Sequence, residues 1–129
     1  MTNAQALPKK PVLTLSALDQ FTGSEHWYRQ ALVRDILFTD GAKYVADTAG
    51  ACWLLDEIAF AQRFNKPVAA EGFQLWKLQG HLDKHSAVLI CEDGNYNAVF
   101  TKSIEFTDFP LAEISFYFTD NVILLPGEY

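Results

Sequence analysis

Residues 36–64 constrain the fold of this chain more than any other stretch of its sequence. Residues 34–39 are rich in Ile, Leu and Phe, a composition that is typical of a strand. Asp40 and Gly41 follow, and an Asp-Gly pair tolerates the positive φ angles of a hairpin turn. We therefore predict a β-hairpin whose returning strand lies at residues 43–45.

The second half of this stretch predicts one amphipathic helix. Apolar side chains recur there at three- and four-residue spacing, so residues 49–64 are predicted to be helical with one wide buried stripe. Asp47 or Thr48 is the predicted N-cap, because either side-chain oxygen can accept a bond from the first turn. We expect this helix to cover one face of a sheet.

Downstream of the helix, short apolar runs alternate with turn residues. The runs predict strands at 73–78, 87–91, 98–106, 114–118 and 122–125. One main helix beside about five strands, with a short N-terminal helix capped by Ser16, predicts an α+β fold with an antiparallel sheet. The last strand ends close to the C-terminus, so it either completes the sheet within one chain or pairs across a homo-oligomer.

Length and composition predict a flexible N-terminal tail at 1–12 and a single globular domain at 13–129. Half of the 129 residues are apolar, which is enough for a core without metals or disulfides. Cys52 and Cys91 lie in apolar runs, so we expect buried reduced thiols in a cytoplasmic protein. No apolar run approaches the length that crosses a bilayer, and a membrane partner is not expected.

The net charge of −6 comes from the C-terminal third of the chain. Residues 92–129 hold seven acidic residues and one Lys, whereas residues 1–91 are balanced. Such a field repels a phosphodiester backbone, so DNA or RNA polymer binding is not expected. An acidic surface instead keeps a domain soluble or attracts a basic host protein.

Catalytic and metal-binding motifs are not found in the sequence. His81 and His85 have the spacing of zinc ligands on a helix, but the polar, Gly-flanked sequence around them predicts an exposed loop. The chain carries no nucleophile elbow and no phosphate-binding loop. We expect no cofactor and no metal, and an enzyme with a dispersed site would depend on His26, Asp40 and Asp108.

One cluster of aromatic and basic residues lies just before the predicted hairpin. Trp and Tyr offer flat faces for a base, and Arg offers a forked donor for phosphate or carboxylate. The predicted ligand-binding residues are His26, Trp27, Tyr28, Arg29, Arg34, Trp76 and Lys77. In the alternative interpretation Trp27 and Tyr28 pack in the core and Arg29 pairs with Glu25.

The tripeptide Phe-Thr-Asp occurs three times, at 38–40, 106–108 and 118–120, where an apolar run ends each time. Thr and Asp side chains bond to nearby backbone donors and stabilise turns. The recurrence therefore indicates reused turn chemistry and not a binding site.

Six segments together resemble a small family of unknown function that is encoded by bacteria, plasmids and phages. The resemblance covers about residues 21–129 and rests on segments 24–29, 39–41, 49–51, 53–59, 106–111 and 121–126. It implies no established activity and no catalytic residues.

Small proteins of this mobile-element type often act by binding, which sets the functional expectation. The resemblance implies a non-catalytic binding protein that sequesters a small anionic ligand, such as a cyclic nucleotide, and so counters bacterial defence. The alternative is an acidic protein–protein inhibitor of a host or defence protein, including a nucleic-acid mimic.

Overall fold

The computed structural model describes residues 12–129, and the predicted tail lies outside them except for Val12, which is exposed. A seven-stranded sheet carries helices on one face. In chain order the elements are α1 (Leu15–Leu18), β1 (Trp27–Arg29), β2 (Leu37–Thr39), α2 (Asp40–Ala49), α3 (Cys52–Phe64), α4 (Lys66–Ala69), β3 (Phe73–His81), β4 (Ser86–Glu92), β5 (Ala98–Ile104), β6 (Glu113–Thr119) and β7 (Val122–Leu124). Single 3₁₀ turns lie at Leu82–Lys84 and Pro126–Glu128.

The strands are ordered β1-β2-β7-β6-β3-β4-β5 across the sheet. All neighbours are antiparallel except β2 and β7, which are parallel. The predicted α+β class is confirmed, but the sheet has seven strands instead of about five. The last strand, β7, lies between β2 and β6, so it completes the sheet within one chain.

The predicted hairpin turn at Asp40 and Gly41, with its returning strand at 43–45, is wrong. These residues begin helix α2, whose N-cap is Thr39: the Thr39 hydroxyl accepts a hydrogen bond from the backbone N–H of Ala42 at 3.3 Å. Because the N-cap residue Thr39 is extended, strand β2 passes directly into α2. The Asp-Gly pair therefore forms the first helical turn and not a hairpin turn.

The predicted single helix at 49–64 is in fact the end of α2 followed by α3. Gly50 separates them with a φ of 62°, a left-handed conformation that closes α2 as a C-cap. Helix α3 begins at Cys52 without a side-chain cap, so neither Asp47 nor Thr48 is its N-cap. The N-cap of α1 is Thr14 and not Ser16.

The core lies between the sheet and the helices. Alternate residues of β3 point to the helices, and Trp76 has no exposed surface there. Ile58 of α3 and Leu89 of β4 are also wholly buried, as the predicted apolar stripe requires. Within residues 12–129 no helix is long and apolar enough to cross a membrane.

The two cysteines have different environments. Cys91 of β4 is buried, as predicted, and burial raises the pKa of its thiol to about 12. Cys52 is exposed at the start of α3, so the prediction of a buried thiol is wrong there. Both thiols are free.

Candidate functional site

The carboxylate of Asp40 ties the segment before β1 to the first turn of α2. It accepts hydrogen bonds from the backbone N–H groups of Glu25 at 3.1 Å and His26 at 3.3 Å, and from the Tyr28 hydroxyl at 3.0 Å. The backbone N–H of Asp40 donates in turn to the Ser24 hydroxyl at 3.0 Å. Two segments that lie far apart in sequence are therefore joined through one side chain.

The hydrogen bond between Asp40 and Tyr28 shifts the pKa of both side chains. Burial by itself raises the pKa of Asp40, but the bonds from Tyr28 and from two backbone N–H groups outweigh it, so the pKa is lowered. The pKa of Tyr28 is raised, mainly by the same hydrogen bond to the Asp40 carboxylate and to a smaller extent by burial. Asp40 is therefore an ionised acceptor and Tyr28 a neutral donor at neutral pH.

A second carboxylate, that of Glu128, joins the C-terminal 3₁₀ turn to the start of α2. It accepts hydrogen bonds from the Thr39 hydroxyl at 2.6 Å and from the backbone N–H groups of Gly41 at 3.0 Å and Leu125 at 2.9 Å. A Cβ atom on Gly41 would lie 2.6 Å from Glu128 Oε1, so any larger residue requires the Glu128 side chain to move. We call Asp40, Glu128 and their hydrogen-bond partners the two-carboxylate network.

The β1 residues that were predicted to contact a ligand point in two directions, as side chains on a strand must. Tyr28 faces α2, stacks on Phe38 with ring centroids 5.7 Å apart and has Lys43 Nζ 5.4 Å from its ring centroid. Trp27 lies on the opposite face and is 55% exposed. The alternative in which both rings pack in the core is wrong for Trp27.

The two arginines of the predicted site lie together in the β1–β2 hairpin. A guanidinium N–H of Arg29 donates to the backbone carbonyl of Arg34, and the predicted Arg29–Glu25 pair is not formed. Eight basic residues lie in the described range, and four of them form ion pairs with acids: Lys43, Arg63, Lys77 and Lys102. The other four, over the same range, make no ion pair: Arg29, Arg34, Lys66 and Lys84.

The remaining two predicted residues are not brought to the hairpin. Trp76 is buried under the helices and its indole N–H donates to Gln74 at 2.9 Å. Lys77 lies on the other face of the same strand and pairs with Glu92 at 3.3 Å. Because β3 is four positions from β1 in the sheet, neither side chain belongs to the cluster around Trp27.

Of the three residues of the enzyme alternative, two lie together and Asp108 is separated from them. His26 Nδ1 lies 3.7 Å from Asp40 Oδ1, but Asp40 already accepts three hydrogen bonds. Asp108 lies in the β5–β6 connection, beside the turn between β3 and β4. In residues 12–129 no group of three His, Cys, Asp or Glu side chains could hold a metal ion.

An open groove of about 450 Å³ lies beside the two-carboxylate network on the α2 side of the hairpin. Its ionisable lining is Glu25, Asp40 and Asp47 against Lys43, which is bound to Asp47. This balance repels an anion. The exposed indole of Trp27 lies on the opposite face of β1, away from this groove.

Sequence reasoning missed the structural role of Thr39, Asp40 and Glu128. A signal for the first two was present, because Thr39 precedes Ala42, Val45 and Ala46, which recur at helical spacing. Glu128 gave no such signal, since its partners lie more than 80 positions earlier in the chain.

The fold and the site define a two-layer α+β protein in which two carboxylates hold an exposed aromatic and basic hairpin against the first turn of α2. The chain belongs to a family of unknown function, DUF6876, whose profile matches residues 12–129. The expected family membership is thus confirmed, over a slightly longer range than the resemblance covered. No curated protein and no solved structure matches the chain.

Proposed function

We propose that this protein binds a small anionic ligand of the nucleotide class without catalysis, through the hairpin surface formed by Trp27, Arg29 and Arg34. One observation carries the proposal: both arginines of this hairpin are exposed and make no ion pair within the described chain, and Arg29 lies two positions after the exposed Trp27 on the same face of β1. Trp and Arg side chains are the most frequent binding anchors in proteins.

The chemistry of these side chains suits a nucleotide. The exposed indole of Trp27 offers a face on which a base stacks, and each guanidinium offers a fork of N–H donors for a phosphate. Arg29 spends one N–H on the carbonyl of Arg34, which fixes its position and leaves its other donors for a ligand. The ligand would then neutralise two cations that the protein itself leaves unpaired.

The cellular role that we propose is the sequestration of a signalling nucleotide in the cytoplasm, so that a phage or plasmid protein counters bacterial defence. Two features support a binding role over an enzymatic one. The enzyme candidates His26 and Asp40 are separated from Asp108, and Asp40 is committed to holding the hairpin. Sequestration needs only affinity, which an exposed aromatic and basic surface supplies.

Isothermal titration calorimetry against cyclic mononucleotides, cyclic dinucleotides and ADP-ribose tests this proposal. The key variant is Trp27→Ala/Arg34→Ala, because neither side chain is buried and Arg34 makes no side-chain hydrogen bond in the described structure. We expect the double variant to lose about tenfold or more in affinity for the ligand that the wild type binds.

The matched control is Lys84→Ala, which removes another exposed cation without an ion pair in the described chain, at the turn after β3. Its affinity should stay within about twofold of the wild type at about 0.15 M salt, since a Debye length of about 8 Å screens the effect of a remote charge. Failure of the wild type to bind any of these nucleotides, or equal binding by the double variant, would contradict the proposal.

A further inference from the structure

A second exposed surface lies where the turn between β3 and β4 meets the connection between β5 and β6. The backbone N–H of Thr107 donates to the carbonyl of His85 at 2.7 Å, and that of Gly80 donates to Ala112 at 2.7 Å. The rings of His85 and Phe106 stack with centroids 6.2 Å apart. These contacts hold residues 80–85 and 105–113 together as one surface, which we call the turn surface.

Two large apolar side chains of the turn surface face solvent. Phe106 is 77% exposed and Leu82 is 47% exposed. Neither position is needed by the core, which is closed below them by the buried side chains of Thr107 and Phe109. Both side chains belong to segments that are bonded to each other, and exposed apolar side chains gathered on one surface are typical of interaction sites.

The charges of these two segments are mostly negative. Four exposed carboxylates lie in the same two segments, and within the described chain none of the four forms an ion pair: Asp83, Glu105, Asp108 and Glu113. Lys84 is the single Lys or Arg of the two segments, which also contain His81 and His85. Three of the seven acidic residues of the C-terminal third thereby lie on the same surface as two exposed apolar side chains.

We propose that the turn surface docks a basic partner protein, whose Lys or Arg side chains meet the four carboxylates while an apolar side chain covers Phe106 and Leu82. An apolar centre with a charged rim is the usual arrangement of a protein interface. A symmetric dimer through this surface would set the four carboxylates against their own copies, which is unfavourable. The turn surface is independent of the hairpin surface, from which it is separated by several strands.

Fluorescence anisotropy with labelled synthetic peptides of 12 residues tests this proposal on the full chain. The probe alternates Lys and Leu, and two comparison peptides alternate Lys with Ser and Glu with Leu. We expect the Lys-Leu peptide to bind most tightly and the Glu-Leu peptide least. Phe106→Ser should weaken Lys-Leu binding about tenfold.

A second variant, Glu105→Gln/Asp108→Asn, should weaken Lys-Leu binding about threefold at low salt, and the difference should vanish near 0.5 M salt. The matched control is Phe64→Ser, because Phe64 at the end of α3 is 79% exposed, almost the same as Phe106. The control should bind within about twofold of the wild type, and thermal unfolding should confirm that each variant is folded.

Three results would overturn the proposal. The first is equal binding by the wild type and Phe106→Ser, and the second is an equal loss in Phe64→Ser. The third is a wild-type dimer in light scattering that Phe106→Ser dissociates, which would assign the turn surface to a second copy of the chain.

Discussion

Two regions of this sheet are joined to the helices by different interactions. Where α3 covers β3, β4 and β6, wholly buried apolar side chains such as Ile58, Trp76 and Leu89 fill the contact. Where β1 and β2 meet α2, hydrogen bonds to the Asp40 and Glu128 carboxylates make the connection. The first region is a fixed platform, and the second presents an exposed hairpin in one orientation.

The largest expected effect compares two tryptophans, one in each region. Trp76→Ala should lower the free energy of unfolding by about 3–5 kcal/mol, because it leaves a cavity under α3 and removes a hydrogen bond to Gln74. Trp27→Ala should change it by about 0.5 kcal/mol at most, since Trp27 is exposed. Urea unfolding of both variants measures the difference, and equal losses would show that the regions are not distinct.

A smaller effect is expected where the backbone approaches Glu128. Gly41→Ala should cost about 1–3 kcal/mol, because the new Cβ would lie 2.6 Å from Glu128 Oε1 and 2.7 Å from Leu125 Cδ1. Gly72→Ala is the control, as nothing lies within 4 Å of a Cβ there. Thermal melting of both variants checks this, and a control as damaging as Gly41→Ala would argue against close packing at α2.

Glu128→Gln tests the second carboxylate without a change of size. We expect a loss of about 1–2 kcal/mol, because the amide nitrogen that replaces one carboxylate oxygen cannot accept: if the amide oxygen keeps the bonds from Thr39 and Leu125, the bond from Gly41 is lost. Glu105→Gln, on an exposed side chain, should be neutral in the same urea titration. An unchanged midpoint for Glu128→Gln would remove the C-terminal turn from the network.

Asp40 gives the two-carboxylate network a pH dependence. Its pKa is lowered in the folded chain, so its contribution to stability is present above the unfolded pKa of about 3.9 and is lost as the pH falls through the folded pKa. Asp40→Asn should therefore flatten the loss of stability below about pH 4. Asp108→Asn, on an exposed carboxylate, is the control, and identical pH profiles for the wild type and Asp40→Asn would contradict this assignment.

The platform could be predicted from the sequence, because its pattern is local. The apolar runs of β3, β4 and β6 and the apolar stripe of α3 are visible within windows of a few residues. The start of α2 was mistaken for a hairpin because Asp-Gly serves both a turn and a first helical turn. Thr39 as an extended N-cap decides between them, and only its contacts show it.

Only the part of the candidate site that is local in sequence can be predicted from the sequence. Trp27, Arg29 and Arg34 lie in one hairpin, so their proximity follows from sequence position. Trp76 and Lys77 were assigned to the same cluster, although the order of strands places β3 four positions away. Strand order depends on pairing between distant segments, and no local pattern encodes it.

Amide hydrogen exchange of the Asp40→Asn variant tests most directly whether the two-carboxylate network holds the hairpin. The N–H of Gln30 reports on the hairpin, because it donates to the carbonyl of Ile36 at 2.9 Å. The N–H groups of Leu78 and Leu89 report on the platform. We predict that exchange at Gln30 accelerates about fivefold or more while Leu78 and Leu89 are unchanged. Unchanged exchange at Gln30, or equal acceleration at all three, would contradict the account.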